Sequence, residues 1–232
     1  MAQLNDEQIE SLYKFTRQHF VEHYDLQTEL VDHMANGIEQ QWQKFPVLTF
    51  EQARDLEFKK FGVFGFMEVV EQRQKAMNKK YTRMVWNHFK NYMKVPKIAA
   101  FAASILVTFI ILKFTSFSEG FLLGAICTCA LIYVAFLLYR SRQIKSHRMV
   151  SDKKWMLEDI IFSQGALAGL ALIPLHFYNI FSDLSSINAG WILALSLFIC
   201  SLYLFLYIIT IEIPKRAEEY LEATYPEYKM SQ

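Results

Sequence analysis

Arg73–Lys97 reads RQKAMNKKYTRMVWNHFKNYMKVPK, and Ile98–Leu112 follows as IAAFAASILVTFIIL. The first segment carries Arg73, Lys75, Lys79, Lys80, Arg83, Lys90, Lys94 and Lys97 without one Asp or Glu, and the second carries no charge. A basic helix that runs directly into such a segment is the pattern of a cytoplasmic domain joined to a membrane span, because anionic headgroups hold lysine and arginine on the cytoplasmic side. The rest of the chain is read outward from this junction.

Charge is segregated around it. Residues 1–97 hold fourteen Lys/Arg and thirteen Asp/Glu, whereas residues 98–139 hold only Lys113 and Glu119. Up to Gln43 there are eight acids against Lys14 and Arg17, so the N-terminal part has an acidic end and a basic end. The first twenty residues are polar and lack an apolar h-region, which predicts a cytoplasmic N-terminus without a signal peptide. Cys127, Cys129 and Cys200 fall in apolar segments. They are read as small apolar fillers, not as a disulfide or a metal site.

Upstream of the junction the pattern is helical throughout. Asn5 with Gln8 three residues on has the form of a capping box, and Ile9, Leu12, Tyr13 and Phe20 then recur at helical spacing, predicting a helix over Asp6–His23. Asp25 is the expected cap of a second helix whose stripe is Leu26, Leu30, Met34, Ile38 and Trp42, ended near Lys44 by Pro46. Thr49 with Gln52 opens a third helix containing Ala53, Leu56, Phe58 and Phe61, which Gly62 stops in a left-handed conformation. Gly65 allows a further turn before the long basic helix.

Several of these residues also carry a resemblance. Glu29-Leu30-Val31-Asp32-His33-Met34, with Ile38 and Glu39, precede Thr49-Phe50-Glu51-Gln52-Ala53 and Phe61-Gly62. Over Tyr24–Gln74 the chain resembles the small α-helical signalling domain often called HAAS, which occurs in bacterial membrane proteins and beside PadR-type transcription regulators. Members pair a Glu-Leu-x-x-His helix with a capped helix ending in Phe/Leu-Gly. The departure is at Phe45-Pro46-Val47-Leu48, where members have a short polar, glycine-bearing link. The resemblance implies a regulatory or protein-interaction module attached to membrane helices.

Four apolar segments follow, Lys97–Phe114, Glu119–Tyr139, Glu158–Phe181 and Asn188–Ile213. Each is long enough for a hydrocarbon core of roughly 30 Å at 1.5 Å per residue. The link Arg140–Trp155 carries six Lys/Arg against Asp152, whereas Asn179–Asn188 carries none. The positive-inside bias therefore places the N-terminal domain, this loop and the tail on the cytoplasmic side. Trp155 and Trp191 suit opposite interfaces, joined by Tyr139 and Tyr178. Gly120 with Gly124, Gly165 with Gly169, Ala99 with Ala103 and Ala100 with Ser104 are small pairs that let helices approach closely, which predicts a compact bundle packed mainly within the chain.

Chemistry is scarce. No ionisable residue lies at mid-span, since Lys113, Glu119, Glu158, Asp159 and Glu212 all sit at segment ends. Gln164, Thr108, Thr128 and Ser196 are the deepest polar groups and are read as interhelical hydrogen-bonding residues. Pro174 is read as a kink in the third span. His176 and Asn179 mark the outer surface, where a membrane enzyme acting through His176 is the least favoured reading. His19 and His23 are four apart, and Glu29 and His33 repeat the spacing with Asp32 beside them, so the four are weak candidates for a metal site. Gly62-Val63-Phe64-Gly65 lacks the lysine and flanking strand of a P-loop.

The sequence thus predicts an all-α bacterial inner-membrane protein. A cytoplasmic HAAS-like domain of about four helices occupies residues 1–96, and a four-helix transmembrane bundle occupies residues 97–213. A basic loop spans residues 140–157, and a cytoplasmic tail follows at residues 214–232. The expected function is regulatory or scaffold-like and not enzymatic, with no cofactor and no nucleic acid. A protein partner is expected at Glu29, Leu30, Asp32, His33, Phe58 and Phe61. Anionic lipid headgroups are expected at Lys79, Lys80, Arg83, Lys90, Lys94 and Lys97, and self-association is a further partner state. The alternative is a transporter or an accessory subunit of one, which a water-lined cavity reaching Gln164 or Thr128 would favour.

Overall fold

The computed structural model describes residues 3–114, 120–121, 123–125, 127–128, 130–132, 134–135, 137–139, 142, 153–163 and 188–230. Among them every regular element is helical and none is a strand. The elements are α1 (Asp6–Gln18), α2 (Tyr24–Lys44), α3 (Phe50–Lys59), α4 (Met67–Tyr92) and α5 (Lys97–Phe114). A shorter apolar helix, α6 (Leu123–Tyr139), precedes α7 (Met156–Ser163). The last apolar helix, α8 (Ala189–Lys215), is α-helical to Tyr207, π-wound over Ile208–Glu212, and α-helical again over Ile213–Lys215. The tail helix α9 (Ala217–Thr224) ends in a 3-10 turn, Pro226–Met230.

Two compact units result. One comprises Met1–Lys80 with Ser151–Asp159, the other Tyr81–Val150 with Ile160–Gln232, so the division falls inside α4.

In the first unit the helix ends follow local chemistry. Both capping boxes form: Asn5 accepts from the Gln8 N–H at 2.8 Å, and Thr49 accepts from the Gln52 N–H at 3.3 Å. Leu26, Leu30, Met34 and Ile38 on α2 are buried with Leu12 of α1 and Ala53 of α3. Each large side chain among them stabilises the unit by about 1.5–3 kcal/mol through burial. Phe15, Phe58, Phe61 and Phe66 complete this core as edge-to-face pairs with centroids 4.8–6.2 Å apart. Gly62 takes φ of 77°, the left-handed stop read from the sequence, and Gly65, read only as allowing a further turn, takes φ of 54°.

Four local expectations are corrected. The first helix stops at Gln18 rather than at His23, because the chain reverses at Phe20 (φ 65°), whose ring is left 76% exposed. Leu56 is 41% exposed, since the Phe58 ring of α3 occupies the core instead. Phe61 lies beyond the third helix, which ends at Lys59, so its ring reaches the core from the turn that follows. Asp25 does not cap α2, whose N-cap is His23 with no side-chain bond. Its carboxylate is engaged elsewhere.

In the second unit α5 and α8 pack antiparallel. Leu112 meets Ile192 and Ile199 with Phe109, Leu195 and Tyr203 around them, and Thr108 lies 3.5 Å from the Cys200 sulfur. The contact face is therefore Thr108–Leu112. Ala99, Ala100, Ala103 and Ser104, the small pairs read as the packing face, are exposed. α6 runs in the same direction as α8, tied where the Tyr203 hydroxyl donates to the Ala125 carbonyl at 2.8 Å and pairs with the Thr128 hydroxyl.

The π turn in α8 has a cause in the sequence. Pro214 has no N–H for the Thr210 carbonyl four residues back, and its ring would crowd that carbonyl. The ladder shifts register just before it, the Ile213 N–H reaching the Ile208 carbonyl five residues back. π turns of this kind recur at functional positions.

Candidate functional site

The residues read as a partner surface do not share one fate. Leu30 is buried at 3% exposure, and Phe58 and Phe61 are half-buried in the aromatic core. Glu29 pairs with Arg73 at 3.1 Å, while Asp32 and His33 face solvent. The weak metal candidates are likewise dispersed. The His19 Nδ1–H donates to the Phe15 carbonyl at 2.8 Å and the ring packs on Phe58. His23 turns to Asp159, and His33 lies on Phe61 with Nε2 4.0 Å from the Glu57 carboxylate. Among the described residues no group of three His, Cys, Asp or Glu is placed to hold a metal. The Glu57 carboxylate, 3% exposed, lies over Gly37 and pairs with Lys60, so the glycine in α2 is the notch that admits it.

The best-built polar constellation of the first unit is a clasp between the α1–α2 corner and Lys153–Asp159. The Tyr24 N–H donates to the Lys154 carbonyl at 2.7 Å, and the Met156 N–H donates to Asp25 Oδ1 at 3.1 Å. Asp25 thus caps α7, a helix 131 positions away in sequence, and satisfies one of its orphan first-turn donors. The Lys154 ammonium sits 2.7 Å from Glu22 and 3.7 Å from Asp159, and the His23 Nε2–H donates to Asp159 at 3.4 Å. Lys153 lies over the Tyr24 ring at 4.3 Å, and Trp155 meets that ring edge-on at 5.4 Å. The Lys154 ammonium, by hydrogen bond and by charge, holds the Glu22 carboxyl below the usual glutamate range. Trp155 is 3% exposed, which corrects its reading as a membrane-interface anchor: Tyr24 and the α2 corner bury it. Trp191 is 68% exposed.

A second constellation lies within the other unit. The His88 Nδ1–H donates to Glu212 Oε1 at 2.9 Å, which leaves Nε2 to accept from the Tyr220 hydroxyl at 2.5 Å. The His88 and Glu212 side chains are 9% and 15% exposed, and the other Glu212 oxygen is buried without a hydrogen bond. Burial, then the adjacent Glu212 carboxylate, push the Tyr92 phenol up to about 12. Burial likewise raises the Tyr220 phenol, more than the Arg216 cation lowers it. Both nitrogens of His88 are thus committed, and the chain Tyr220–His88–Glu212 joins α9 and α4 to the π turn of α8.

The basic residues behave as a solvated face. Lys79, Lys80, Arg83, Lys90, Lys94 and Lys97 are all exposed, with Lys90 5.6 Å from the Trp86 ring and Lys97 4.3 Å from the Tyr92 ring. A Cβ at Gly120 or Gly124 meets nothing within 4 Å among the described residues. Gly165, Gly169, Cys129, Gln164, Pro174, His176, Tyr178 and Asn179 lie outside the described residues.

Sequence reading missed His88, Tyr220 and the clasp partners Glu22, Lys154 and Asp159 as interacting groups. One local signal existed: His88 follows Met77, Tyr81 and Val85 at helical steps, so it lies on the buried stripe of α4 and needs polar partners there. No protein-family model, no curated protein and no solved structure matches this chain.

Proposed function

We propose that the chain is an integral bacterial inner-membrane protein of regulatory or scaffold-like, non-catalytic function, whose N-terminal HAAS-like unit is cytoplasmic and binds a protein partner. In this reading α5 and α8 are the first and last of four spans, and both termini face the cytoplasm. The exposed lysines and arginine of Lys79–Lys97 rest on anionic lipid headgroups. Support for lipid as the solvent comes from outward apolar surface. Only 11% of the apolar window of α5 and 33% of that of α8 is buried within the chain. Leu106, Val107, Ile110, Leu193, Leu197 and Phe198 are 45–58% exposed. Carried in water, that surface would be an aggregation liability.

The observation that carries the regulatory reading is the clasp. Lys154 and Asp25 exchange caps between the α2 corner and the start of α7, and α7 leads into the third apolar segment. A partner that moved the α2 corner would therefore act on the entry to that segment. The experiment is site-specific photo-crosslinking in intact membranes from Asp32, His33, Val63 and Phe64. One discrete adduct from neighbouring positions supports the reading, and no adduct from any of them refutes it. An amino-terminal tag reachable from the periplasm would refute the orientation.

A further inference from the structure

α6 and α8 leave an apolar groove between them, all of it within the second unit. Ile132, Ala135 and Tyr139 line it from one helix, at steps of three and four that put them on one face. Thr210, Ile211, Pro214 and Lys215 line it from the other, and its volume is about 330 Å³. Its shape follows from the backbone. The π turn widens α8 at Ile208–Glu212, Pro214 has no side chain beyond its ring to fill the space, and Ala135 is small. The Thr210 hydroxyl is spent on the Leu206 carbonyl at 2.7 Å. It therefore adds no free donor to the groove.

The polarity is graded along the groove. Ile132 and Ala135 lie one to two turns before Tyr139, roughly 6–10 Å along the helix at 1.5 Å per residue. Tyr139 and Lys215 close the same end, where α6 and α8 both terminate, and Arg142 follows, exposed. Among the described residues no carboxylate lines the groove, and Glu212 in the same turn faces His88 instead. Lys215 is exposed and leaves a positive charge at the mouth of an apolar slot.

We infer that this groove binds an anionic phospholipid, with one acyl chain along Ile132, Ala135 and Ile211 and the phosphate on Lys215 beside the Tyr139 hydroxyl. The inference rests on the membrane reading above and adds to it a defined lipid site away from the basic face of α4. An alkyl chain suits an apolar slot at the small end of the ligand-pocket range. A single lysine at the headgroup level selects an anionic lipid over a zwitterionic one by about fivefold, the factor that about 1 kcal/mol represents.

The test is native mass spectrometry of the full chain released from nanodiscs of mixed phosphatidylcholine and phosphatidylglycerol. The wild type is expected to retain phosphatidylglycerol preferentially. Lys215→Glu should lower the preference by the groove's share of about fivefold, leaving that of the basic face of α4, Ala135→Phe should lose the lipid held by the groove whichever headgroup it carries, and Lys14→Glu should change neither. Circular dichroism confirms that each variant remains helical. Unchanged lipid retention in Ala135→Phe overturns the inference, as does loss of a dimer in place of a lipid, which would make the groove a seat for a second copy. If the chain stays monodisperse without detergent, it is the membrane reading that fails.

Discussion

Replacing His88 by alanine tests whether the Tyr220–His88–Glu212 chain holds the tail helix in place. The imidazole is 9% exposed, and its loss leaves the Glu212 carboxylate, 15% exposed, with neither oxygen hydrogen-bonded by the partner it has now. Leaving a buried acceptor without its hydrogen-bond partner costs about 1–3 kcal/mol, and more when the acceptor is charged. With the carboxylate 15% exposed, water offsets part of the loss and about 2 kcal/mol remains. Part of the effect is local, because Tyr220 loses its acceptor on α9. Hydrogen exchange of Ala217–Thr224 in detergent micelles should then accelerate by about thirtyfold, the factor for 2 kcal/mol. Glu212→Gln keeps an acceptor for the His88 Nδ1–H and loses only the charge assistance, about 1 kcal/mol. If His88→Ala leaves exchange in α9 unchanged, or if Glu212→Gln is as damaging as His88→Ala, the chain does not hold the tail as argued.

Three further outcomes follow from the first unit. Asp25→Ala removes the cap from the Met156 N–H and should lower thermal stability by about 1 kcal/mol, with faster exchange at the start of α7 rather than of α2. Gly37→Ala places a methyl into the Glu57 carboxylate and should destabilise by about 1–3 kcal/mol, measured by thermal melting, with Gly37→Ala/Glu57→Ala recovering part of the loss. Glu22 has a folded-state pKa below its ordinary value, so its bond to Lys154 contributes above the ordinary glutamate range and is lost as pH falls through the lowered value. Exchange at Lys153–Asp159, corrected for intrinsic rate, should rise on acidification in the wild type. Lys154→Ala should remove that dependence.

The sequence by itself determined the local events. Capping boxes at Asn5 and Thr49, the left-handed stop at Gly62, and the α2 stripe Leu26–Ile38 each depend on residues within one or two turns of each other. The apolar segments Lys97–Phe114 and Asn188–Ile213 were legible from length and charge alone, and helices occupy Lys97–Phe114 and Ala189–Lys215. Tertiary structure decided where polar side chains spend their hydrogen bonds. Asp25 looks like the cap of the helix it sits on, yet its carboxylate meets Met156, because the chain reversal at Phe20 carries the α2 corner to the returning segment. Trp155 looks like an interface anchor and is instead buried on Tyr24. The metal-like spacing of His19, His23, Glu29 and His33 dissolves for the same reason: each side chain meets a partner from another element before it meets the others. His88 and Glu212 lie 124 residues apart. Nothing periodic links them, and only the packing of α4 beside the π turn that Pro214 imposes makes them a pair.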